Sequence, residues 1–414
     1  MDSRNWKILA CILAVHVLFW LALRPAVPST DDLCYFKDAL KVSDGTYEFN
    51  SSPKTQRLGI ILPTYLIISV FGTSPYAISL LPLIFSIVSI LLIYLLFKHD
   101  STLALTASVL LAVNTIQITY SCALFPDAIL SLIMFSIACS FHLRNDNRKL
   151  LGVFAAISLV VAFFVKQLVV VLIPLIAYWI IKDLIKRRNT AFHIAFISTV
   201  GIAGSLVIYS IYQTTGDVLF ILKSIEENHN RIFADVSNVE LINRLTWQPI
   251  AFLNGLVGYW PLILLSIPAV IHEFKNHSVD DHTKYLIYLI CVFWLGSTSI
   301  ENYSPVLLLD RMWLPMLIPL CILSAKTIVW QANSHPFWLV VFTSTAMIFS
   351  AALAFSRGNE GEGVFYLLIP ATMILVRKSK SLQGYPESAK TMFVLMPFLL
   401  LTCWFVISNS NWIS

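Results

Sequence analysis

Apolar segments long enough to cross a membrane recur along this chain from its amino terminus to its carboxyl terminus. Such runs predict membrane-spanning α-helices, because a helix needs about 20 apolar residues to cross the hydrocarbon core. Of the 414 residues, 57% are hydrophobic and only 12% are charged, and no polar stretch is long enough for a separate soluble domain. We therefore expect an all-α polytopic membrane protein, a single domain over residues 1–414 with about 13 transmembrane helices.

One apolar segment, Leu58–Phe71, is too short to cross the membrane, and we expect a re-entrant or surface-lying helix there. The first span lacks a small-residue cleavage site, so it is interpreted as a retained span rather than a signal peptide. The spans are expected near residues 6–24, 75–97, 101–120, 127–143, 150–165, 168–181, 192–213, 249–271, 285–300, 311–327, 336–355, 363–376 and 391–408.

Basic residues indicate which side of the membrane each connector faces. Arg4 and Lys7 precede the first span, so the positive-inside rule places the amino terminus inside. If the short segment returns to the outer face, the chain has an odd number of crossings, and the polar loops 26–57 and 214–248 both lie outside. Three basic connectors then lie inside, namely Arg144–Lys149, Lys182–Arg188 and Arg377–Lys380.

The net charge of +5 requires no nucleic-acid partner, since most Lys and Arg residues lie in connectors where they set topology. The seven Cys residues are scattered, mostly in apolar segments, without paired spacing. They predict neither a disulfide framework nor a metal site. Polar chemistry is therefore expected in the outer loops.

An acidic pair, Asp31 and Asp32, follows the first span in the first outer loop. Residues 31–42 are predicted to form an amphipathic helix that lies on the membrane, with both acids in its first turn. One interpretation is that the two acids only stabilise the helix start through the positive end of its dipole. The other is that they are catalytic, since ionisable groups at a membrane are costly and commonly functional. The apolar face of this helix is formed by Leu33, Phe36 and Leu40.

Other charged residues stand at the predicted outer ends of spans. Asp127 follows Pro126 and is either an acid in the first turn of a helix or a catalytic group. Arg57, Lys166 and Arg311 either anchor their segments at the membrane surface or bind a phosphate group.

The second outer loop contains His229 and Arg231, which are either solvated or bind a substrate or a metal ion. The sequence has no zinc-type His/Cys spacing, no Gly-rich phosphate loop and no Ser nucleophile elbow. No cofactor is firmly indicated, and a divalent cation is the open alternative.

Three short motifs follow the acidic pair and the amphipathic helix in a fixed order. They are Arg57-Leu58-Gly59-Ile60-Ile61-Leu62-Pro63, Phe71-Gly72-Thr73-Ser74 and, after a long span, Phe125-Pro126-Asp127. This order resembles the GT-C glycosyltransferases that use polyprenyl-phosphate sugars, in particular the protein mannosyltransferases and aminoarabinose transferases. The resemblance is clearest over residues 1–185.

The resemblance implies a role for each candidate residue. Asp31 matches the catalytic acid of the family's Asp-Glu or Asp-Asp pair, and Asp127 matches its second membrane-edge Asp. Arg57 falls where relatives keep a basic residue for the lipid phosphate, and Lys166 looks like the family's Lys-Glu or Lys-Gly turn. His229, with Arg231 beside it, lies in a stretch similar to a loop that supplies a His to the site in some relatives.

The chain departs from some relatives at Gln56, where they have a Glu. In those relatives the Glu would share a metal ion with residues matching Asp127 and His229. The amide at position 56 therefore removes one of the three ligands that a divalent cation would need.

We expect an inverting glycosyltransferase that moves a monosaccharide from a polyprenyl (undecaprenyl) phosphate donor to a hydroxyl of a cell-surface glycan, lipid or protein acceptor. The reaction would occur on the outer, periplasmic face of a bacterial inner membrane. Asp31 would accept the hydroxyl's proton, and Asp32 would either orient the acceptor or support the site without touching it. Arg57, Lys166 and Arg311 would stabilise the phosphate.

Two other functions remain as alternatives. A lipid-linked glycan flippase or transporter would also have many spans and intramembrane charges, but this chain shows no internal repeat, and its charges cluster at the outer edge. An oligosaccharide polymerase or ligase usually carries a larger outer loop than residues 214–248.

Overall fold

The computed structural model describes residues 3–23, 31–146, 148–233, 257–297, 309–334, 337–356 and 387–410, together with positions 245, 303, 306, 364, 366–368 and 371–372. The elements within these residues are all helices, as predicted. The α-helices are α1 (Ser3–Leu23), α2 (Asp31–Ser43), α3 (Leu58–Phe71), α4 (Pro75–Leu96), α5 (Ser101–Ala112), α6 (Thr115–Ser121), α7 (Pro126–His142), α8 (Lys149–Val165), α9 (Ile173–Ile185), α10 (Thr190–Thr215), α11 (Phe220–Phe233), α12 (Trp260–Lys275), α13 (Asp281–Leu295), α14 (Leu317–Ser334), α15 (Phe337–Ser356) and α16 (Glu387–Ser410). Short 3-10 helices cover Leu143–Asp146, Gln167–Leu172, Val257–Tyr259 and Asp310–Met316.

Helices α5 and α7 form the centre of the bundle. All residues from Leu103 to Ala112 in α5, and all from Pro126 to Phe135 in α7, are buried. Helix α5 contacts α1, α4, α14 and α16, while α7 contacts α4, α8, α13 and the 3-10 helix Asp310–Met316. Helices that are apolar all round, like these two, are stable only when other helices or lipid surround them.

The prediction of an integral membrane protein is confirmed. Among the described residues, 5 helices are long and apolar enough to cross a membrane, or up to 6 if one bent pair counts as a single span. The total of about 13 spans remains a prediction. Helix α3 has 14 residues, so the expectation of a helix too short to span was right about its length.

The segment 101–120, expected to be one span, is broken into α5 and α6, and the chain bends by 60° between them. The side chain of Asn114 accepts the Gln117 backbone N–H at 3.1 Å and starts the second helix. The backbone carbonyl groups freed at the break have side-chain partners. His16 Nδ1 donates to Ala112 O at 2.8 Å, and the Thr402 hydroxyl donates to Val113 O. The sequence pattern of apolar residues did not reveal this break.

The break is braced by a buried chain of polar side chains. With His16 Nδ1 donating to Ala112 O, His16 Nε2 accepts the hydroxyl of Ser86 at 2.8 Å, and Ser86 Oγ accepts Gln117 Nε2 at 2.7 Å. Each member of the chain therefore depends on its neighbour for a partner, which a buried polar group requires.

We expect His16→Leu to lower the free energy of unfolding by about 2 kcal/mol, because it leaves a buried carbonyl and a buried hydroxyl without partners. Thermal unfolding in detergent measures the loss, and His99→Leu is the control because His99 is exposed. Equal midpoints for the two variants would contradict a bracing role.

Helix α2, expected over 31–42, covers Asp31–Ser43. The side that packs against the protein is formed by Asp32, Tyr35, Asp38 and Ala39. The predicted apolar face of Leu33, Phe36 and Leu40 is half-buried, and Phe36 and Leu40 pack against the protein core.

Two polar clusters lie at opposite ends of α7. Asp127 is in its first turn, and His142 ends it, so about 25 Å of helix separates the two ends. The far cluster centres on Arg144, which was expected in a solvated basic connector but is buried. Its guanidinium contacts Asp183 at 2.5 Å and Asp281 at 3.2 Å. Burial of this Arg requires both carboxylates, because an unpaired charge is not tolerated in the interior.

Candidate active site

The structure brings together five charged residues predicted from separate segments. Asp31 opens α2, Arg57 directly precedes α3, Asp127 lies in the first turn of α7, Lys166 follows α8, and Arg311 lies in the 3-10 helix Asp310–Met316. Arg311 reaches Asp31 at 3.3 Å, and Lys166 reaches Asp127 at 2.5 Å. The charges of Asp31, Asp127 and Arg311 all act on Arg57. These residues form one site, which we call the charged cluster.

Asp31 is held between two cations. Its Oδ1 lies 2.7 Å from Lys54 Nζ, and its Oδ2 lies 3.3 Å from Arg311. Partial burial raises the pKa of the Asp31 carboxyl, but the hydrogen bond and charge of Lys54 and the charges of Arg311 and Arg57 outweigh that effect. The net result is a pKa below the ordinary Asp value, so Asp31 is ionised at neutral pH.

Asp127 and Lys166 form a nearly buried ion pair. The side chain of Asp127 is 2% exposed and that of Lys166 is 12% exposed. Lys166 stands where α8 stops and the 3-10 helix Gln167–Leu172 begins, and its Nζ also lies 2.9 Å from Met312 Sδ. The pair therefore ties the start of α7 to the end of α8 and the 3-10 helix Asp310–Met316.

Arg57 has a hydrogen-bonding group to spare. It donates to the hydroxyl of Tyr35, and its guanidinium lies 5.4 Å from the centre of the Tyr35 ring. Its Nε is buried and has no hydrogen-bond partner in the described part of the chain. Tyr35 lies one turn after Asp31 on α2, so one helix positions both groups.

Gly59 allows the start of α3 to lie against the end of α8. A Cβ atom at Gly59 would come within 2.7 Å of Val165 Cγ2 and 2.9 Å of the Val165 backbone nitrogen. Real Cβ atoms do not approach a backbone this closely. The contact brings Arg57, two residues earlier, beside Lys166, one residue after Val165.

Arg311 is fixed from several sides. Its guanidinium lies 4.7 Å from the centre of the Phe125 ring, which immediately precedes α7. The 3-10 helix that carries it accepts two side-chain hydrogen bonds on its backbone. Tyr259 donates to Asp310 O at 2.8 Å, and Ser131 donates to Leu314 O at 2.9 Å. Only the tertiary structure could show this support, because Phe125, Ser131 and Tyr259 lie far from Arg311 in the sequence.

The other predicted residues are placed differently. Asp32 is 6% exposed, and its Oδ1 accepts the Leu33 backbone N–H at 3.0 Å, so it is turned into the protein. His229 and Arg231 fall in α11, where their side chains lie outside the described residues. Lys54, which contacts Asp31, was missed because a Lys in a polar loop carries no distinguishing signal in the sequence.

The described residues near the charged cluster form no ligand set for a divalent cation, and such a cation remains a prediction. Gln56, at the position of the implied ligand, uses its side-chain Nε2 to contact Ser224 Oγ at 2.5 Å and Asn50 O at 3.2 Å. Asp127 is already neutralised by Lys166. Among the residues that the structure describes, no group of three His, Cys, Asp or Glu side chains is placed to hold a metal ion.

Comparisons with known proteins bear on the fold and the family of the chain. A family model described as Dolichyl-phosphate-mannose-protein mannosyltransferase matches residues 62–212. The structure of ArnT from Cupriavidus metallidurans bound to undecaprenyl phosphate superposes with a TM-score of 0.65 and 12% identity, covering 99% of this chain and 78% of that chain. The same protein in the apo state gives a TM-score of 0.61 and 13% identity, with the same coverage. No curated protein sequence matches the chain.

The likeness to ArnT extends over nearly the whole chain, whereas the family model matches a central part that begins in α3 and ends in α10. At such low identity the structural likeness shows the fold alone. The resemblance predicted from the motifs is confirmed: the chain is an integral membrane protein with the GT-C fold, and over residues 62–212 it matches the family of Dolichyl-phosphate-mannose-protein mannosyltransferases.

Proposed function

We propose that this protein is an inverting glycosyltransferase that takes a monosaccharide from a polyprenyl phosphate and attaches it to a hydroxyl of a cell-surface glycan, lipid or protein. The observation that carries the proposal is the charged cluster, where an ionised carboxylate lies beside cations that suit a phosphate. Asp31 is the base, and Arg57, Lys166 and Arg311 supply the positive charge.

Arg57 is the principal ligand proposed for the donor phosphate. Its buried Nε lacks a partner among the residues that the structure describes, and a buried donor left unpaired is costly. A phosphate oxygen would satisfy it, and the planar guanidinium suits such an anion. Lys166 and Arg311 are each engaged with a carboxylate, so they act on the phosphate mainly through their charge. The ArnT structure that contains undecaprenyl phosphate supports a carrier lipid of this class.

The transfer requires one bond to form and one to break. The acceptor hydroxyl oxygen attacks the anomeric carbon from the side opposite the phosphate, and its proton passes to the Asp31 carboxylate. The bond between the anomeric carbon and the phosphate oxygen breaks, and its electron pair stays on the phosphate. The cations stabilise the charge that develops there, which is worth more in a water-poor site than in water.

The site is proposed to face the outside of a bacterial inner membrane. The charged cluster and the Arg144 cluster lie at opposite ends of α7, and two connectors predicted to be inside, Arg144–Lys149 and Lys182–Arg188, are joined by the contact of Arg144 with Asp183. The carrier's polyprenyl tail would lie among the apolar spans while its sugar remains in the outer, wetter part of the site.

The experiment supplies the purified protein in vesicles with undecaprenyl phosphates carrying radiolabelled mannose, glucose or aminoarabinose. Membranes of the source organism provide the acceptor. A transferase releases undecaprenyl phosphate and moves the label to a non-carrier product. A flippase, the alternative function, carries the intact labelled lipid across the vesicle membrane and leaves the sugar–phosphate bond unbroken.

We expect Arg57→Met to weaken binding of undecaprenyl phosphate roughly 10- to 100-fold, because a charge-assisted hydrogen bond to the phosphate is lost. Binding of labelled carrier lipid to the purified protein measures this. Arg57→Lys keeps the positive charge but loses the planar guanidinium, so its affinity for undecaprenyl phosphate should lie between those of Arg57→Met and the unmodified protein. Arg188→Met is the control, since Arg188 is exposed on an inner connector. Unchanged binding by Arg57→Met would remove Arg57 from the phosphate site.

A further inference from the structure

Lys54 reaches the charged cluster from the loop between α2 and α3. Its Nζ lies 2.7 Å from Asp31 Oδ1 and 3.7 Å from Cys34 Sγ, one turn further along α2. The hydrogen bond to Asp31 raises the pKa of the Lys54 ammonium, so Lys54 stays protonated at any working pH. The contact joins a charged loop side chain to the proposed base.

The loop that carries Lys54 is ordered by its own hydrogen bonds. The Thr55 hydroxyl contacts Asn50 Oδ1 at 3.0 Å and Ser52 O at 2.9 Å, and Tyr47 donates to Thr55 O. The Arg57 backbone N–H donates to Lys54 O at 3.2 Å. The backbone at Lys54 is thus held in place, which keeps its side chain within reach of the Asp31 carboxylate.

The exposure of this pair argues against a purely structural role. The side chains of Lys54 and Asp31 are 41% and 31% exposed. An ion pair exposed to water to this extent contributes only about 0–1 kcal/mol to stability. The charged cluster already has a nearly buried pair, Asp127 with Lys166, that ties its helices together. The contact therefore matters mainly for what it does to the Asp31 carboxylate.

The two carboxylate oxygens of Asp31 are held by different cations from different elements. Lys54 holds Oδ1 from the loop, and Arg311 holds Oδ2 from the 3-10 helix Asp310–Met316. Arg57, before α3, adds its charge without a direct contact. In the proposed reaction Arg311 also serves the phosphate, so Lys54 is the cation that remains dedicated to the base.

We propose that Lys54 is a positioning residue, which holds the Asp31 carboxylate in the orientation and charge state in which it accepts the proton of the acceptor hydroxyl. This inference rests on the proposed transferase function. Lys54 itself touches neither the phosphate nor the sugar. It acts through Asp31 and determines how far the pH can fall before that base is lost.

The sign of the pH effect follows from the charges. Lys54, Arg311 and Arg57 together keep the pKa of Asp31 below its usual value against the opposite effect of burial. Without Lys54, only Arg311 and Arg57 oppose the effect of burial on the Asp31 carboxyl, so the pKa of Asp31 rises. The acidic limb of the transfer rate, where Asp31 becomes protonated, therefore moves to higher pH.

The test compares Lys54→Met, Lys54→Arg and the unmodified protein in the transfer assay from about pH 2.5 to 8, a range that reaches below the ordinary Asp pKa so that the acidic limb of the unmodified protein can be followed. We expect Lys54→Met to lower the rate at neutral pH roughly tenfold and to move the acidic limb up by about one pH unit. Lys54→Arg keeps the charge and should restore the position of the limb. Binding of undecaprenyl phosphate should change less than about twofold in either variant.

Lys41→Met is the matched control, because the exposed Lys41 also pairs with an acid of α2, the buried Asp38, at 3.0 Å, and this pair does not include Asp31. A limb and a rate that do not move in Lys54→Met would overturn the inference, as would a large loss of carrier-lipid binding. Should Lys54→Met not fold, Lys54→Gln gives the same comparison. If the unmodified protein transfers no sugar from any donor, the proposed function fails instead, and the two failures are distinct.

Discussion

Asp31→Asn is expected to reduce sugar transfer by about 10³-fold, because a positioned general base contributes roughly 10²- to 10⁴-fold to a rate. The amide keeps the size of the side chain but cannot take the proton from the acceptor hydroxyl. Release of undecaprenyl phosphate from a labelled donor, measured at saturating acceptor, gives the rate. Carrier-lipid binding should be retained, since Asp31 is not a phosphate ligand.

Two further variants separate catalysis from structure. Asp31→Glu keeps the carboxylate but moves it by one methylene away from Lys54 and Arg311, so we expect an intermediate rate. Asp44→Asn, an exposed acid just after α2, is the control and should transfer normally. Near-normal turnover by Asp31→Asn would mean that another group takes the proton, and the assignment of Asp31 would be withdrawn.

Arg144→Met is expected to cost the protein about 3–5 kcal/mol of folding stability, the usual penalty for breaking a buried ion pair. Its side chain is 4% exposed, and that of its partner Asp183 is 6% exposed. Asp183 would retain contacts with Asn189 and His193, both at 2.9 Å, but would lose its guanidinium. Thermal unfolding of the detergent-solubilised protein measures the loss.

A double replacement tests the cause of this loss. Arg144→Met combined with Asp183→Leu removes both charges, and we expect it to recover much of the stability lost in the single variant. Arg188→Met, at an exposed position on the connector Lys182–Arg188, should leave the unfolding midpoint unchanged. If Arg144→Met were as stable as Arg188→Met, the buried Arg144 cluster would make no measurable contribution to folding stability.

Much of the site was predictable because its acids and cations stand at the edges of apolar segments. Asp31, Asp127 and Lys166 interrupt or border runs of apolar residues, and such positions are costly for a charge. The pattern identified which charges were unusual. It could not say that Asp127 pairs with Lys166, or that Asp31 is shared by Arg311 and Lys54, because those contacts join distant segments.

Structural features that depend on a single distant contact were missed. Lys54 looked like an ordinary loop residue, and its partner Asp31 is separated from it by the whole of α2 and a loop. Arg144 looked like a solvated topological charge, because nothing local indicates that Asp183 and Asp281 meet it in the interior. The bend after Ala112 was equally hidden, since His16, which caps the freed carbonyl, lies in another helix.

The sequence by itself determined the class of protein, the short length of α3 and the bounds of α2 to within a residue. These properties follow from local apolar runs and periodicity, because the partitioning of a segment between water and lipid depends on its own residues. Only the tertiary structure decided which charges meet, which are buried, and where an apolar run is broken. Those outcomes depend on side chains from separate helices that satisfy one another's charges and hydrogen bonds, and spacing along one segment carries no record of them.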